Sequence, residues 1–535
     1  NQFNGTVTFS GPNIYSNYYG TATYSGNIVL NTASGNIFFG YGEGSCTQSV
    51  GKKISIGASG FSAGQLYLRN FNSLDSSSKI SLTLSGSAKV YFETGSKFKD
   101  TMVVNAPLLY LNGTKFYNKT SFEIKGNTAV TSSGGCYFGK AFSFTNSMGV
   151  SEVYSMGNSY PDTFAMTSVF VNKAYTFSVN KGLFLGKVTI DNNAVGGEGF
   201  FIATTGDCKF KDSLYIIADQ NLGMRFGQSG GTTTIDSTGV LCFKTGCGGN
   251  AIISNLTKLG SAAQVFNAGS NELTLGPNNV WNGAFNFYGK HIALNGNTFN
   301  STTSIAVYPT STYSSTGGNV FNGSTTIQDS SSTSHSEYLA TSAADDYNSD
   351  VTFIQKGSGV NLYPSYTKNS TVAGNLICNG VSAKLQVGGS GGKLILDGTG
   401  SQTIGRGSSM YAPEIKKLQL NKSSGSIALT TPLIIYDSLL LTNGVIHSDT
   451  TNFIQLNHGG LLAGGSDSSF VDGPMKKNGN VAFTFPLGSS TLAHGYHPLS
   501  ITAPTSSSDG YKACYYPTSQ TIGTAIDSTI DNLNG

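Results

Sequence analysis

The chain has 535 residues and a formal net charge of +3, from 31 Lys and Arg against 28 Asp and Glu. Charged residues are 11% of the total while glycine alone numbers 69, against roughly 25% charged in an ordinary soluble protein. This composition excludes long helices, which need Ala, Glu, Lys, Leu and Arg at 3.6-residue spacing. The absence of a basic block speaks against a nucleic-acid partner, and no apolar run reaches the roughly 18 residues of a membrane span.

Taken in chain order, the predicted elements are short strands. Phe3-Asn4-Gly5-Thr6-Val7-Thr8-Phe9 sets the unit: an aromatic, three residues, then an alternating segment. Ile54-Ser55-Ile56, Leu66-Tyr67-Leu68, Ile80-Ser81-Leu82-Thr83-Leu84 and Val188-Thr189-Ile190 place an apolar side chain at every second position, the period of a strand with one buried face. Clusters of Gly, Asn, Ser and Asp mark the turns between them.

A larger duplication overlies these units. Phe98, Phe116, Phe138 and Phe164 are separated by 18, 22 and 26 residues, and so are Trp281, Phe299, Phe321 and Tyr347, at a constant offset of 183. At that offset Leu111-Asn112-Gly113 meets Leu294-Asn295-Gly296, and Gly134-Gly135 meets Gly317-Gly318. Phe39-Gly40 and Phe226-Gly227 match more loosely at 187. Repeats of this size predict an all-β parallel β-helix, a solenoid whose coils stack each strand on the one before. Residues 1 to 365 would supply roughly 16 coils and a rod of roughly 80 Å. The Phe ladder is expected to point inward as stacked core; pointing outward, it would form a platform for sugar rings, and the 27 tyrosines could line an outer face.

From about residue 366 the rhythm changes. Gly389 to Leu456 carries strand–turn units of another style, and Pro and aromatic residues gather near Phe470. We expect solenoid copies over 1–183 and 184–365, divergent β-solenoid repeats over 366–469, and a truncated β cap or small β module over 470–535. Asn1 is not an initiator Met and the chain stops in a polar stretch, which reads as an interior or processed piece of something longer.

Gly398-Thr399-Gly400-Ser401-Gln402-Thr403-Ile404 followed by Leu418-Gln419-Leu420-Asn421-Lys422-Ser423-Ser424-Gly425 resembles repeats of giant adhesin-like surface proteins of Bacteroidetes. So does Phe470-Val471-Asp472-Gly473-Pro474-Met475-Lys476-Lys477, continuing into Phe483-Thr484-Phe485-Pro486-Leu487-Gly488 and Gly495-Tyr496-His497-Pro498-Leu499. The motifs cover roughly residues 390–500. The resemblance implies a gliding-associated or adhesin-like protein at the cell surface, exported by the type IX secretion machinery through a sorting domain missing here. Tyr496-His497-Pro498 departs from the Tyr-Arg-Pro common in such repeats.

Residues able to carry chemistry are few. A polysaccharide lyase or hydrolase on a β-helix needs carboxylates converging on one face. The adjacent acidic pair, Asp345-Asp346, corresponds to Asp162 in the first copy and reads as a solvated corner. His458-Gly459 lacks the Arg-x-Lys of a pectinase-like site. His494 and His497 are the two close histidines but lack neighbouring Cys or carboxylate ligands. Cys46, Cys136, Cys208, Cys242, Cys247, Cys378 and Cys514 read as buried small hydrophobes with an incidental disulfide, Cys242–Cys247 being near enough for a local bridge. No catalytic, cofactor-binding or metal residue is assigned and no cofactor is expected, although structural calcium at corner carboxylates or carbonyls stays open.

The expectation is a non-catalytic extracellular surface rod, a stalk or adhesin segment. Its expected partners are a surface polysaccharide or another cell-surface protein. The alternative is a β-helix that binds or cleaves polysaccharide.

Overall fold

The computed structural model describes residues 1–149, 151–194, 199–218, 223–244, 251–331, 334–357, 360–380 and 391–518. Residues 381–390 of the expected divergent repeats, Gly389 among them, and Cys247 lie outside them, as do residues 519–535 of the expected cap. Described residues are strands, turns and bends, with no helix. They fall into two compact units, Asn1–Ile292 and Ala293–Gly535.

Within the first unit each strand pairs in parallel with its counterpart one coil later. Aligned positions run through Phe3, Tyr24, Gln48, Ser73, Phe98, Phe116 and Phe138. The same column continues through Phe164, Phe184, Phe210, Ile235, Lys258 and Trp281. In the second unit it runs through Phe299, Phe321, Tyr347, Val372, Leu396, Leu420, Leu441 and Gly464. The fold is the parallel β-helix predicted from the alternation.

The alternation also sets which side chains face in. The strand Thr120–Ile124 buries Thr120, Phe122 and Ile124 and leaves Ser121 and Glu123 part-exposed, as a period of two requires. Phe98, Phe116, Phe138 and Phe164 are at most 1% exposed and point inward. Their rings stack at 5.5, 5.2 and 5.0 Å between centroids. Phe299, Phe321 and Tyr347 repeat this at 5.0 and 4.9 Å. Offset stacking adds to the area that each ring already removes from water.

The repeated glycine pairs have a backbone reason. Gly134 and Gly317 have φ of +86° and +90°, and a Cβ there would lie 2.1 Å from the carbonyl oxygens of Tyr160 and Ala343. Only glycine lets two turns approach so closely.

Parallel stacking stops near the C-terminal end of the second unit. Met475–Asn478 pairs antiparallel with Gly510–Ala513, and Phe483–Phe485 with Leu499–Ile501. These extra strands coincide with the composition shift at Phe470.

Replacing Phe138 by Ala removes a ring that touches Phe116, Phe142 and Phe164. We expect a loss of about 3–5 kcal/mol, read as a lower chemical-denaturation midpoint.

Candidate functional site

Every polar group able to do acid–base chemistry must be placed inside or outside the coil wall. Inside, amides form a column: Asn146 Nδ2 donates to Asn172 Oδ1 at 3.0 Å, and Asn172 Nδ2 to Asn192 Oδ1 at 3.1 Å. At the 183 offset the second copy has Asp329 for Asn146 and Gln355 for Asn172. There Asp329 Oδ2 lies 2.8 Å from His335 Nε2, and His335 Nδ1 lies 2.9 Å from Ser331 Oγ. This Ser–His–Asp constellation resembles a nucleophilic triad, but Asp329 is fully buried, and Ser331 and His335 are 4% and 5% exposed. A nucleophile must reach a substrate carbonyl, and this hydroxyl faces the core.

The two equivalent acids are buried as well. Asp162 accepts the Cys136 N–H at 2.9 Å. Asp345 accepts both the N–H and the Nδ2 of Asn319, at 2.9 and 2.8 Å. The solvated corner expected for Asp345-Asp346 is therefore corrected: Asp345 is 2% exposed and closes an internal chain of hydrogen bonds, while Asp346 is part-exposed and accepts from Thr371 Oγ1. Burial pushes Asp162 up to about 7 and Asp345 up to about 6, against the pull of their hydrogen bonds.

Sequence reading missed the buried lysines. Lys422 Nζ donates to Gly398 O at 2.6 Å, Gly400 O at 2.9 Å and Gln402 Oε1 at 2.5 Å. The two surface-protein-like strings, Gly398–Ile404 and Leu418–Gly425, are thus the two halves of one clasp. Gly425, at φ +73°, completes it where a Cβ would lie 2.5 Å from Gly400 O. Lys477 of the Phe470–Lys477 string likewise donates to Asn457 O and Gly460 O at 2.8 and 3.0 Å. Burial lowers the pKa of both lysines.

The remaining candidates stay apart. His494 Nδ1 faces Asp467 Oδ2 at 3.3 Å, whereas the His497 ring stacks on Tyr515 at 4.3 Å. Among the described residues no three His, Cys, Asp or Glu side chains are grouped to hold a metal ion. Cys46, Cys136, Cys208 and Cys378 are buried free thiols and Cys242 and Cys514 are part-exposed; the Cys242–Cys247 bridge considered above falls on Cys247, outside the described residues. Burial pushes the Cys208 and Cys378 thiols up to about 12.

The outer wall is where the first unit presents something unusual. Strands Asn13–Ser16, Ser34–Phe39, Ala63–Leu68, Lys89–Phe92 and Leu108–Leu111 form one parallel sheet. On its outer face Tyr15, Phe38, Tyr67, Tyr91 and Tyr110 align one per coil. Their rings stack at 4.8, 4.6, 4.2 and 4.4 Å, within 15° of parallel. Tyr41 and Tyr18 lean against the start of this column, and Tyr19 beside them is 72% exposed. A second column, Asn13, Asn36, Gln65 and Lys89, runs alongside. Asn36 Nδ2 donates to Asn13 Oδ1 at 3.1 Å, and Tyr67 O–H donates to Gln65 Oε1 at 2.5 Å.

Farther along the first unit, aligned positions read Thr131, Ser155, Ser178 and Phe201, the last two buried. In the second unit the equivalent of Thr131, Ser314, aligns with Tyr338 and Tyr363, again part-exposed. Partial burial raises the pKa of Tyr67 and Tyr91, beside their phenolic neighbours. The hydroxyls therefore stay protonated donors at neutral pH. Comparison of the chain with protein-family models, curated proteins and solved structures finds no match.

Two outcomes follow. Folded Asp162 and Asp345 hold protons that the unfolded chain releases near 3.8, so their contribution is complete below that pH and is lost as pH rises through about 6 and about 7. Urea midpoints should therefore be higher at about pH 5 than at about pH 8, with Asp162→Asn plus Asp345→Asn flattening the slope. Lys422→Met strands the carbonyls of Gly398 and Gly400. It should cost about 3 kcal/mol and speed amide exchange across 398–404.

Proposed function

We propose that the chain is a non-catalytic segment of an extracellular surface protein, a stalk or adhesin of the giant Bacteroidetes type, exported by the type IX machinery. It would serve attachment or display at the cell surface, with a surface polysaccharide or another surface protein as partner. The observation that carries this reading is the division of labour across the coil wall. Asp162, Asp345, Asp329 and His335 are buried inside the core and hydrogen-bonded there, while the outer sheet of the first unit offers aligned rings, hydroxyls and amides. A repeated outer face gives many weak, identical contacts, which suits adhesion through multivalency. The family reading rests on the strings themselves; the clasps make them structural parts of the coil.

The polysaccharide-cleaving alternative requires two carboxyl groups about 5–10 Å apart on one exposed face, whereas the acids conserved between the two copies, Asp162 and Asp345, are sealed in the core.

The full chain, displayed on beads, should retain polysaccharide-coated surfaces without releasing reducing ends over a day. Steady product release, abolished by one carboxylate-to-amide change, would contradict this reading.

A further inference from the structure

The outer ring column of the first unit is open to solvent yet ordered like a core, and its chemistry selects an occupant. Each inner ring has a neighbour stacked on both faces. The π faces are therefore occupied within the chain, and what projects outward is a strip of ring edges, one per coil, with a phenol hydroxyl on each ring except Phe38. Coils rise by the strand spacing of about 4.8 Å, comparable to the advance of one sugar in an extended, β-linked glycan. Beside the strip stands the amide column of Asn36 and Gln65, which can both donate and accept. Within the five strands the only charged residue is Lys89.

With one cation, Lys89, in the flanking column and one anion, Glu93, just past the fourth strand, this periodic array of hydroxyls, amides and electropositive ring edges has no row of like charge and complements a neutral polyhydroxylated chain. It does not complement an acidic one, which would need a row of cations. Nor does it suit a second copy of this chain. A stable protein interface buries roughly 800 Å² per partner around a wide apolar centre, whereas this strip is one side chain wide with polar flanks. Tyr338 and Tyr363 align one coil apart and part-exposed in the second unit, so paired outward rings occur there as well.

We infer that the face centred on Tyr67 and Tyr91 is a docking site for a neutral, extended polysaccharide lying along the coil axis. This rests on, and sharpens, the surface-attachment reading. The glycan would contact successive coils through hydroxyl-to-hydroxyl and hydroxyl-to-amide bonds, its C–H faces covering the ring edges.

The test is affinity electrophoresis of the full chain in gels holding hydroxyethyl cellulose, xylan or polygalacturonate. We expect retardation by a neutral polymer and not by polygalacturonate. Tyr67→Ala plus Tyr91→Ala should weaken it roughly tenfold or more. Tyr67→Phe plus Tyr91→Phe, which keeps the stack and guards against misfolding, should weaken it about fivefold. Circular dichroism checks that each variant is folded. Retardation by polygalacturonate alone, by no polymer, or unchanged in both folded variants would overturn the inference. So would self-association, seen by sedimentation, that both variants abolish. If beads carrying the variants still adhere to polysaccharide-coated surfaces as wild type does, this face is wrong and the attachment reading survives. Reducing-end release would instead sink the attachment reading and leave the docking face to be judged by the gels.

Discussion

Parallel pairing in register places each side chain about 4.8 Å from the same position of the next coil, so every column must tolerate stacking on its own kind. Phenylalanine does so through offset ring contacts, and asparagine does so by donating to one neighbour and accepting from the other. A run of like charges does not: two charges about 4 Å apart repel by roughly 1 kcal/mol in water and more near a protein surface. Lys97 does align with Lys115, at exposed positions where solvent screens them. Scarcity of charge in this chain is thus a consequence of its architecture.

The same rule explains why the polar interior looks catalytic without being placed for catalysis. Asn146 and Asp329 occupy one position in two copies, and both must satisfy buried neighbours. Where the second copy carries an acid, the His335 ring and the Ser331 backbone N–H complete its hydrogen bonding, as a buried carboxyl group demands. Lys422 and Lys477 solve the complementary problem at corners, where turn carbonyls crowd together. Each ammonium gathers two of them. In the Tyr column of the first unit the rule operates on the outer wall with large rings, and it leaves their edges and hydroxyls to solvent.

Much of the fold was legible because burial repeats with the strand period. Phe98 to Phe164 announced both the coil lengths and the inward column, and Gly134-Gly135 announced a tight turn by recurring at Gly317-Gly318. The outer column was harder to see. Tyr15, Phe38, Tyr67, Tyr91 and Tyr110 fall in coils of different length, so their spacing of 23, 29, 24 and 19 residues shows no period until register is known. Asp345 reads as exposed because Asp is common at turns, and the Asn319 that covers it lies 26 residues away, in the coil before. Lys422 lies within a recognisable motif, yet its contact with Gly398 and Gly400 lies a coil away and depends on stacking.

Register itself can be measured by a cysteine pair on the outer wall. Ser121 and Ser143 align one coil apart with their hydroxyls 2.8 Å apart, whereas Thr145 aligns with Glu123. Mild oxidation of Ser121→Cys plus Ser143→Cys should give a near-complete disulfide between those two peptides by mass spectrometry, since aligned strands fall within the Cα separation a disulfide requires. Ser121→Cys plus Thr145→Cys, two residues out of step, should give little. Equal bridging in both pairs, or bridging only in the shifted pair, would contradict the in-register stack.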